Sequence, residues 1–203
     1  MNKKQDTLGF RAAGTTLANV RLALAGEHQR DNAAVAFAAA CELARMDFPI
    51  DKTAIRHGLE NARWPGRLEL RAGNPPWLID CAHNPAGIET LALHLEATAK
   101  GKRLLFVFAV MKDKDYAPML ARLAAFSGDW IFTAPPVPRA EEPKRLAELL
   151  PKGEGRVLAV ADYRRALARA KAMESEYDGV VLAGSIYWVG AAQGFLNRHR
   201  PLK

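Results

Sequence analysis

From Arg67 onward the chain repeats one rhythm: a short apolar run, a polar turn, then a stretch in which apolar residues recur every three or four positions. Arg67-Leu68-Glu69-Leu70-Arg71 alternates as a half-buried strand does. Gly73-Asn74-Pro75-Pro76 turns the chain back into Trp77-Leu78-Ile79, so these two strands are predicted to form an antiparallel hairpin. Ile88, Leu91, Ala92 and Leu95 follow at helical spacing. Further apolar runs at 104–110, 130–134, 157–160 and 179–183 alternate with helical patterns at 116–126, 142–150, 163–173 and 186–197. Apolar strands joined through helices of about ten residues predict an α/β fold. It is a Rossmann-like three-layer domain with a mostly parallel sheet of about six strands, the first antiparallel.

Before Arg67 the pattern is weaker. Residues 1–15 show no periodicity long enough to predict an element. Leu17, Val20, Leu22 and Leu24 alternate loosely, as in a strand, until a polar stretch at 26–32 interrupts them. An Ala-rich helix over 32–45 and a short one from Asp51 through Leu59 follow, and Trp64-Pro65-Gly66 is turn punctuation. The expected division is therefore a segment of residues 1–64 and a domain of residues 65–203.

Composition narrows the class. Of the 203 residues, 49% are hydrophobic and 25% charged, the mix of a folded globular chain and not of a disordered one. The net charge of +7 favours acidic ligands such as polyphosphates or polycarboxylates. Its carriers are scattered (Lys3, Lys4, Arg63, Arg67, Arg71, Lys112, Lys114, Arg164, Arg165, Arg198), without the compact basic tract that nucleic acid would need, so no nucleic-acid partner is expected. Cys41 and Cys81 lack metal or redox spacing and are expected to be reduced thiols. No apolar run reaches the roughly 20 residues of a membrane span, and Met1–Asp6 lacks a signal-peptide core, so no membrane and a cytoplasmic location are expected.

The candidate chemistry sits at strand tips. Trp77-Leu78-Ile79 runs into Asp80-Cys81-Ala82-His83-Asn84-Pro85, with Pro85 in the first turn of the following helix and Asn84 as its natural N-cap. An acid before a helix is commonly only a cap. If Asn84 caps, however, Asp80 and His83 are left over in one short loop, where truncating either should cost little stability. Met111–Asp115, Pro135–Arg139 and Gly184-Ser185 end other strands on the same edge, the edge at which open α/β sheets bind ligands. No G-x-S-x-G elbow, Gly-rich dinucleotide fingerprint or zinc spacing occurs. Nor does G-x-x-x-x-G-K-[ST], because Gly101-Lys102 lacks both the upstream glycine and the following hydroxyl.

Five segments, in order, carry a family resemblance. Gly26-Glu27-His28-Gln29-Arg30-Asp31-Asn32-Ala33 resembles G-x-H-Q-x-x-N-A, Pro65-Gly66-Arg67-Leu68-Glu69 resembles P-G-R-x-E, and Asp80–Pro85 resembles D-x-A-H-N-P. Lys112-Asp113-Lys114-Asp115 resembles the K/H-D-K-D loop, and Ala183-Gly184-Ser185 the final G-S strand end. The chain is thus similar to the carboxyl-terminal part of folylpolyglutamate synthases, including the bifunctional dihydrofolate synthase/folylpolyglutamate synthases, of the Mur ligase superfamily. Cys81 departs from the pattern, since small residues without a thiol are common there.

The resemblance implies that residues 1–64 are a helical remnant of the central ATPase domain and that residues 65–203 are the carboxyl-terminal domain. It implies a reaction in which ATP activates a carboxylate of folate or dihydropteroate as an acyl phosphate, which the amine of L-glutamate attacks. Mg²⁺ would accompany ATP, its ligands mainly in the missing N-terminal ATPase domain together with the P-loop. It puts Asn32 on adenine, with an ordinary N-cap as the alternative, Arg67 on the γ-phosphate, Asp80 on the ribose and His83 on phosphate or the acyl phosphate. His28, Gln29, Lys112, Asp113, Lys114, Arg139 and Ser185 are implied as substrate or closing-face residues. The chain alone is then expected to be inactive and weak in ATP binding, and to bury its exposed Ala-rich helix by self-association. A stand-alone nucleotide-binding or interaction module without catalysis is the other reading.

Overall fold

A computed structural model describes residues 7–151, 153 and 155–198. Met1–Asp6, with Lys3 and Lys4, lie outside them. The chain divides into two compact units, Met1–Pro65 and Gly66–Lys203.

The first unit opens with a hairpin that the hydrophobic pattern does not announce. β1 (Leu8–Ala12) pairs antiparallel with β2 (Thr15–Val20), Phe10 opposite Leu17 and Ala12 opposite Thr15. Residues 1–15 were expected to hold no element. They escape the pattern because β1 is short, contains Gly9, and ends in an Ala13-Gly14 turn with φ of 48° and 75°, a geometry normally signalled by Asn-Gly or Asp-Gly. α1 (His28–Arg45) and α2 (Lys52–Asn61) follow, Asp51 capping α2 by accepting from the Ala54 N–H at 2.6 Å. Phe10, Leu17, Val20, Phe37, Cys41 and Ile55 form the core of this unit.

The second unit is a six-stranded sheet. β3 (Glu69–Arg71) and β4 (Trp77–Ile79) form the expected antiparallel hairpin, with Leu70 opposite Leu78. β5 (Leu104–Phe108), β6 (Gly128–Ala134), β7 (Val157–Asp162) and β8 (Gly179–Ala183) are parallel to β4, in the order β3-β4-β8-β5-β6-β7. The connecting helices are α3 (Pro85–Thr98), α4 (Tyr116–Leu123), α5 (Pro143–Leu149), α6 (Tyr163–Met173) and α7 (Ile186–Arg198).

Side-chain alternation along the strands splits the core into two layers. Leu78, Phe106, Phe108, Trp130, Phe132 and Val181 pack with α3, α4 and α5, Phe106 stacking on Trp130 with ring centroids 4.5 Å apart. Ile79, Leu105, Val107, Ile131, Val180 and Leu182 pack with α6 and α7 on the other face. β4 and β5 therefore send their helices to one face, and β8, which lies between them, sends α7 to the other. In open α/β sheets the crevice outside the carboxyl end of a strand at such a reversal, here β8, is the usual ligand position.

Candidate active site

Sequence places four loops at that crevice. After Ile79 the ladder ends with the Asp80 N–H donating to the Leu182 carbonyl, and the chain turns into α3. Asn84 caps α3, its Oδ1 accepting from the Gly87 N–H at 2.7 Å, with Pro85 in the first turn. Asp80 and His83 therefore do not cap it.

Asp80 nevertheless has structural work, contrary to the expectation that its truncation is nearly free. Its Oδ2 accepts from the Leu68 N–H and its Oδ1 from the Ala82 N–H, both at 2.8 Å. Leu68 has φ of 44°, so the carboxylate holds a backbone turn that its residue type disfavours. His83 Nδ1 lies 3.0 Å from the Cys81 carbonyl. A carbonyl only accepts, so Nδ1 carries the proton, and Nε2 donates only in the imidazolium form.

The neighbouring Pro65-Gly66-Arg67-Leu68-Glu69 segment is built around backbone contact. Gly66 has φ of 74°, and a Cβ there would sit 2.7 Å from both Cys81 Sγ and Val189 Cγ1. Its carbonyl accepts from the Cys81 N–H at 2.6 Å. Glu69 Oε2 accepts from the Gly66 N–H at 2.8 Å and from Gln193 Nε2 at 2.6 Å, and Oε1 accepts from Arg71 Nε at 3.0 Å. Glu69 is thus an anchor joining β3 to α7. Burial, then the nearby Asp80 carboxylate, push the Cys81 thiol up to about 11, and the Arg67 guanidinium only partly offsets them. Cys81 is a packing thiol, and Arg67 and Asp80 are close enough for both to act on it.

The loops after β5, β6 and β8 complete the edge. Gly184, at φ 113°, lets β8 pass against the Ala109 carbonyl and the Phe108 ring, and its N–H donates to the Ala82 carbonyl at 2.9 Å. Ser185 is buried, and its Oγ accepts from the Tyr187 N–H at 3.2 Å and the Trp188 N–H at 3.4 Å. Its acceptor side is therefore spent on capping α7, and only its proton is left to donate to a ligand. Asp113 pairs with Lys114 Nζ at 3.2 Å and Arg139 at 3.7 Å, and Lys114 foremost holds its carboxyl below the usual range. The Arg139 guanidinium lies 5.8 Å from the centroid of the Tyr187 ring. The structure thus brings Asp113, Lys114 and Arg139 together, with Lys112 tied in through its N–H to the Arg139 carbonyl at 2.9 Å.

His28, Gln29 and Asn32 form a separate group, in the first unit. α1 begins at His28 and not at Asn32, so Asn32 is in the second turn and is not an N-cap. Its Nδ2 donates to Gln29 Oε1 at 3.2 Å, and Gln29 Nε2 lies 2.7 Å from His28 Nε2. Among the described residues, no group of three or more His, Cys, Asp or Glu side chains converges on a possible metal position.

The profile of the "Mur ligase, glutamate ligase domain" matches residues 66–186. The chain belongs to the Mur ligase family. The dihydrofolate synthase/folylpolyglutamate synthase of Escherichia coli (strain K12) is 32% identical over 191 residues, covering 94% of this chain and 43% of that protein. The folylpolyglutamate synthase of Mycobacterium tuberculosis, solved with ADP and AMPPCP, superposes with a TM-score of 0.78 at 31% identity, covering 95% of this chain and 45% of that one. A bifunctional folylpolyglutamate synthase/dihydrofolate synthase with Mn, AMPPNP and L-glutamate bound gives a TM-score of 0.73 at 27% identity, with 91% and 43% covered. The chain spans between a fifth and somewhat under half the length of the curated relatives it matches. The sheet order, with its antiparallel first pair, is the α/β architecture expected from the sequence.

Proposed function

We propose that this Mur ligase chain is the glutamate-ligase part of an ATP-dependent enzyme that joins L-glutamate to folate, to dihydropteroate, or to both. The observation that carries the reading is the convergence of the Asp80–Asn84, Met111–Asp115 and Gly184-Ser185 loops on the crevice around β8, in a domain matching the glutamate ligase profile. Residues 65–203 would be the carboxyl-terminal domain and residues 1–64 the end of the ATPase domain.

The reaction moves the γ-phosphoryl group of ATP to a substrate carboxylate. The glutamate amine then attacks the acyl carbon, the amide C–N bond forms, and phosphate leaves. Asp80 offers a carboxylate acceptor to the ribose hydroxyls, and Arg67 supplies a permanent, forked charge to a γ-phosphate. His83 as imidazolium would donate from Nε2 to phosphate. Lys112, Lys114, Arg139 and the Ser185 hydroxyl proton suit the carboxylates of the amino acid, with Asp113 orienting Lys114 and Arg139. In the first unit Asn32, steadied by Gln29 and His28, offers an amide to adenine. Mg²⁺ would be held mainly by the ATPase portion, since the described residues gather no such ligand set; when bound it neutralises phosphate charge.

These 203 residues contain no phosphate-cradling G-x-x-x-x-G-K-[ST] segment, so the chain alone should neither hydrolyse ATP nor ligate. Val35, Met46 and Phe48 are more than half exposed, an apolar face suited to self-association or to the rest of the ATPase domain. Among the described residues no helix is long and apolar enough to cross a membrane, and we place the enzyme in the cytoplasm. The test is glutamate-dependent ADP release by an enzyme containing this domain together with its ATPase portion. Activity with glutamate and a folate or pteroate acceptor supports the reading. Submicromolar ATP binding by the 203-residue chain alone would instead favour a stand-alone nucleotide-binding module.

A further inference from the structure

Behind the basic loop lies a buried acid–phenol pair that the reaction above does not use. Tyr116, the first residue of α4, and Glu141, just before α5, are 8% and 5% exposed. The Tyr116 hydroxyl donates to Glu141 Oε2, and Glu141 Oε1 accepts from the Glu142 N–H at 2.9 Å. Arg145 Nε approaches the same carboxylate at 3.9 Å from the solvent side. A buried carboxylate is costly unless it is well paired, and an apolar pair of similar volume would commonly be as stable or more so. What the polar pair adds is a directional link, satisfied at both oxygens.

The position of that link gives it a task. Past Phe108 the β5 segment stays buried through Ala109, Val110 and Met111, and the segment after β6 returns antiparallel to it. Met111 bridges Ala140, the Lys112 N–H donates to the Arg139 carbonyl at 2.9 Å, and the Glu141 N–H donates to the Val110 carbonyl at 2.9 Å. Lys112, Asp113, Lys114 and Asp115 lie between this backbone seam and Tyr116. The seam fixes one end of the loop. The Tyr116–Glu141 bond fixes the other end to the same seam, and Arg139 leaves it two residues before Glu141. Every charged group of the basic cluster is therefore within a few residues of the two partners, while neither partner is itself exposed to a substrate.

We propose that Tyr116 and Glu141 are positioning residues, a buried latch that sets the placement of Lys112, Lys114 and Arg139 toward an anionic amino-acid substrate. The proposal rests on the ligase reading for its substrate class, but the latch is a property of this fold. Burial alone would push the Glu141 carboxyl up, yet the hydrogen bonds from Tyr116 and the Glu142 backbone bring it below its usual value. The bond to Glu141, foremost, pushes the Tyr116 hydroxyl up. The proton accordingly stays on the phenol and the link persists at neutral pH.

Two measurements separate the latch from the ligase reading. The first is amide hydrogen exchange on the 203-residue chain. Tyr116→Phe and Glu141→Leu should speed exchange at Lys112, Lys114 and Glu141 at least tenfold and leave the β5 amides unchanged, whereas Glu141→Gln, which keeps an acceptor, should exchange like the native chain. Unchanged exchange in Tyr116→Phe and Glu141→Leu would overturn the latch whatever the enzyme does.

The second is steady-state kinetics of the ligase containing this domain. Misplacing the loop should raise KM for glutamate about ten- to a hundredfold, with KM for ATP within twofold and Glu141→Gln restoring most of the loss. Equal rises in both KM values, or no rescue by Gln, would overturn the positioning role. If the native enzyme does not ligate glutamate, the ligase reading falls and the positioning role toward that substrate falls with it, while the exchange result still decides the latch.

Discussion

At the amino end of the sheet Asp129, 1% exposed, takes hydrogen bonds from Arg103, from the backbone and side chain of Arg156, and from the Tyr177 hydroxyl. Arg156 reaches on to Glu176 at 2.6 Å, and Arg103 stacks over Tyr177 at 5.1 Å. At the carboxyl end Lys112, Asp113, Lys114 and Arg139 stand on solvent-facing loops whose backbones are sewn down. One end turns its charges inward onto a single carboxylate and ties together the starts of β5, β6, β7 and β8. The other holds its loops with backbone bonds, the Asp80 carboxylate, the Ser185 hydroxyl and one buried pair, and its basic loops present charge outward. The contrast separates charge that holds the fold from charge available to a ligand, although both are made from the same residue types.

The largest expected effect lies at the amino end. Asp129→Ala leaves Tyr177 and two guanidinium groups without their shared acceptor, a loss of the kind that costs about 3–5 kcal/mol in a buried pair. Arg103 and Arg156 are half-exposed and can rehydrate, so the lower end of that range is expected. Thermal melting of the chain should fall by roughly 10 °C. A change of one or two degrees would erase the distinction between the two ends.

Next in size is a pH effect at the same place. Burial alone would raise the Asp129 carboxyl, but the hydrogen bonds from Tyr177 and Arg156 and the charge of Arg103 hold it down at about 2. A folded value below the ordinary 3.8 means that its contribution is present above that value and is lost as pH falls through 2. Native protein should lose roughly 2 kcal/mol from this group between about pH 4 and pH 2. Asp129→Asn should flatten denaturation midpoints over that window; an unchanged slope in the variant would assign the acid sensitivity elsewhere.

Asp80 straddles the comparison. Asp80→Ala strands the Leu68 and Ala82 N–H groups, at about 1–3 kcal/mol, and should also abolish ligation in the parent enzyme. Urea denaturation and turnover on the same variant read both. A loss of turnover with no stability change would mean that the two backbone bonds carry no weight.

The smallest stability change is expected for Lys114→Ala and Arg139→Ala, whose pairing with Asp113 is exposed to solvent and screened by it. Both should nonetheless raise KM for the amino acid. A melting change larger than that of Asp80→Ala would place these residues in the scaffold.

The sheet was legible because each strand is a separate apolar run bounded by turn residues, and the β4 loop because Asn84-Pro85 signals a helix start and leaves Asp80 and His83 over. β1 was not legible, its Ala13-Gly14 turn carrying no hairpin signature. Nor was the start of α1 at His28, where Glu27 makes no side-chain cap bond and the helix begins inside a polar stretch. The Asp129 and Glu141 clusters were out of reach for a different reason. Asp129 meets Tyr177 across 48 positions and Glu141 meets Tyr116 across 25, pairings that only the strand order creates. Glu69 lay within a recognised motif, yet its contact to Gln193 spans 124 positions, so its role as an anchor could not be read locally.

The proposed role of the carboxyl end of this sheet in the chemistry stands or falls with His83→Ala, because His83 caps no helix and holds one backbone carbonyl. Glutamate-dependent ADP release and thermal melting are to be measured on that variant of the ligase containing this domain. Turnover should drop by a factor of about 10² to 10³, the loss of one donor to developing charge, with melting lowered by no more than about 3 °C. Turnover within a few fold of the native enzyme, accompanied by a clear fall in melting temperature, would show His83 to be part of the scaffold and contradict the claim.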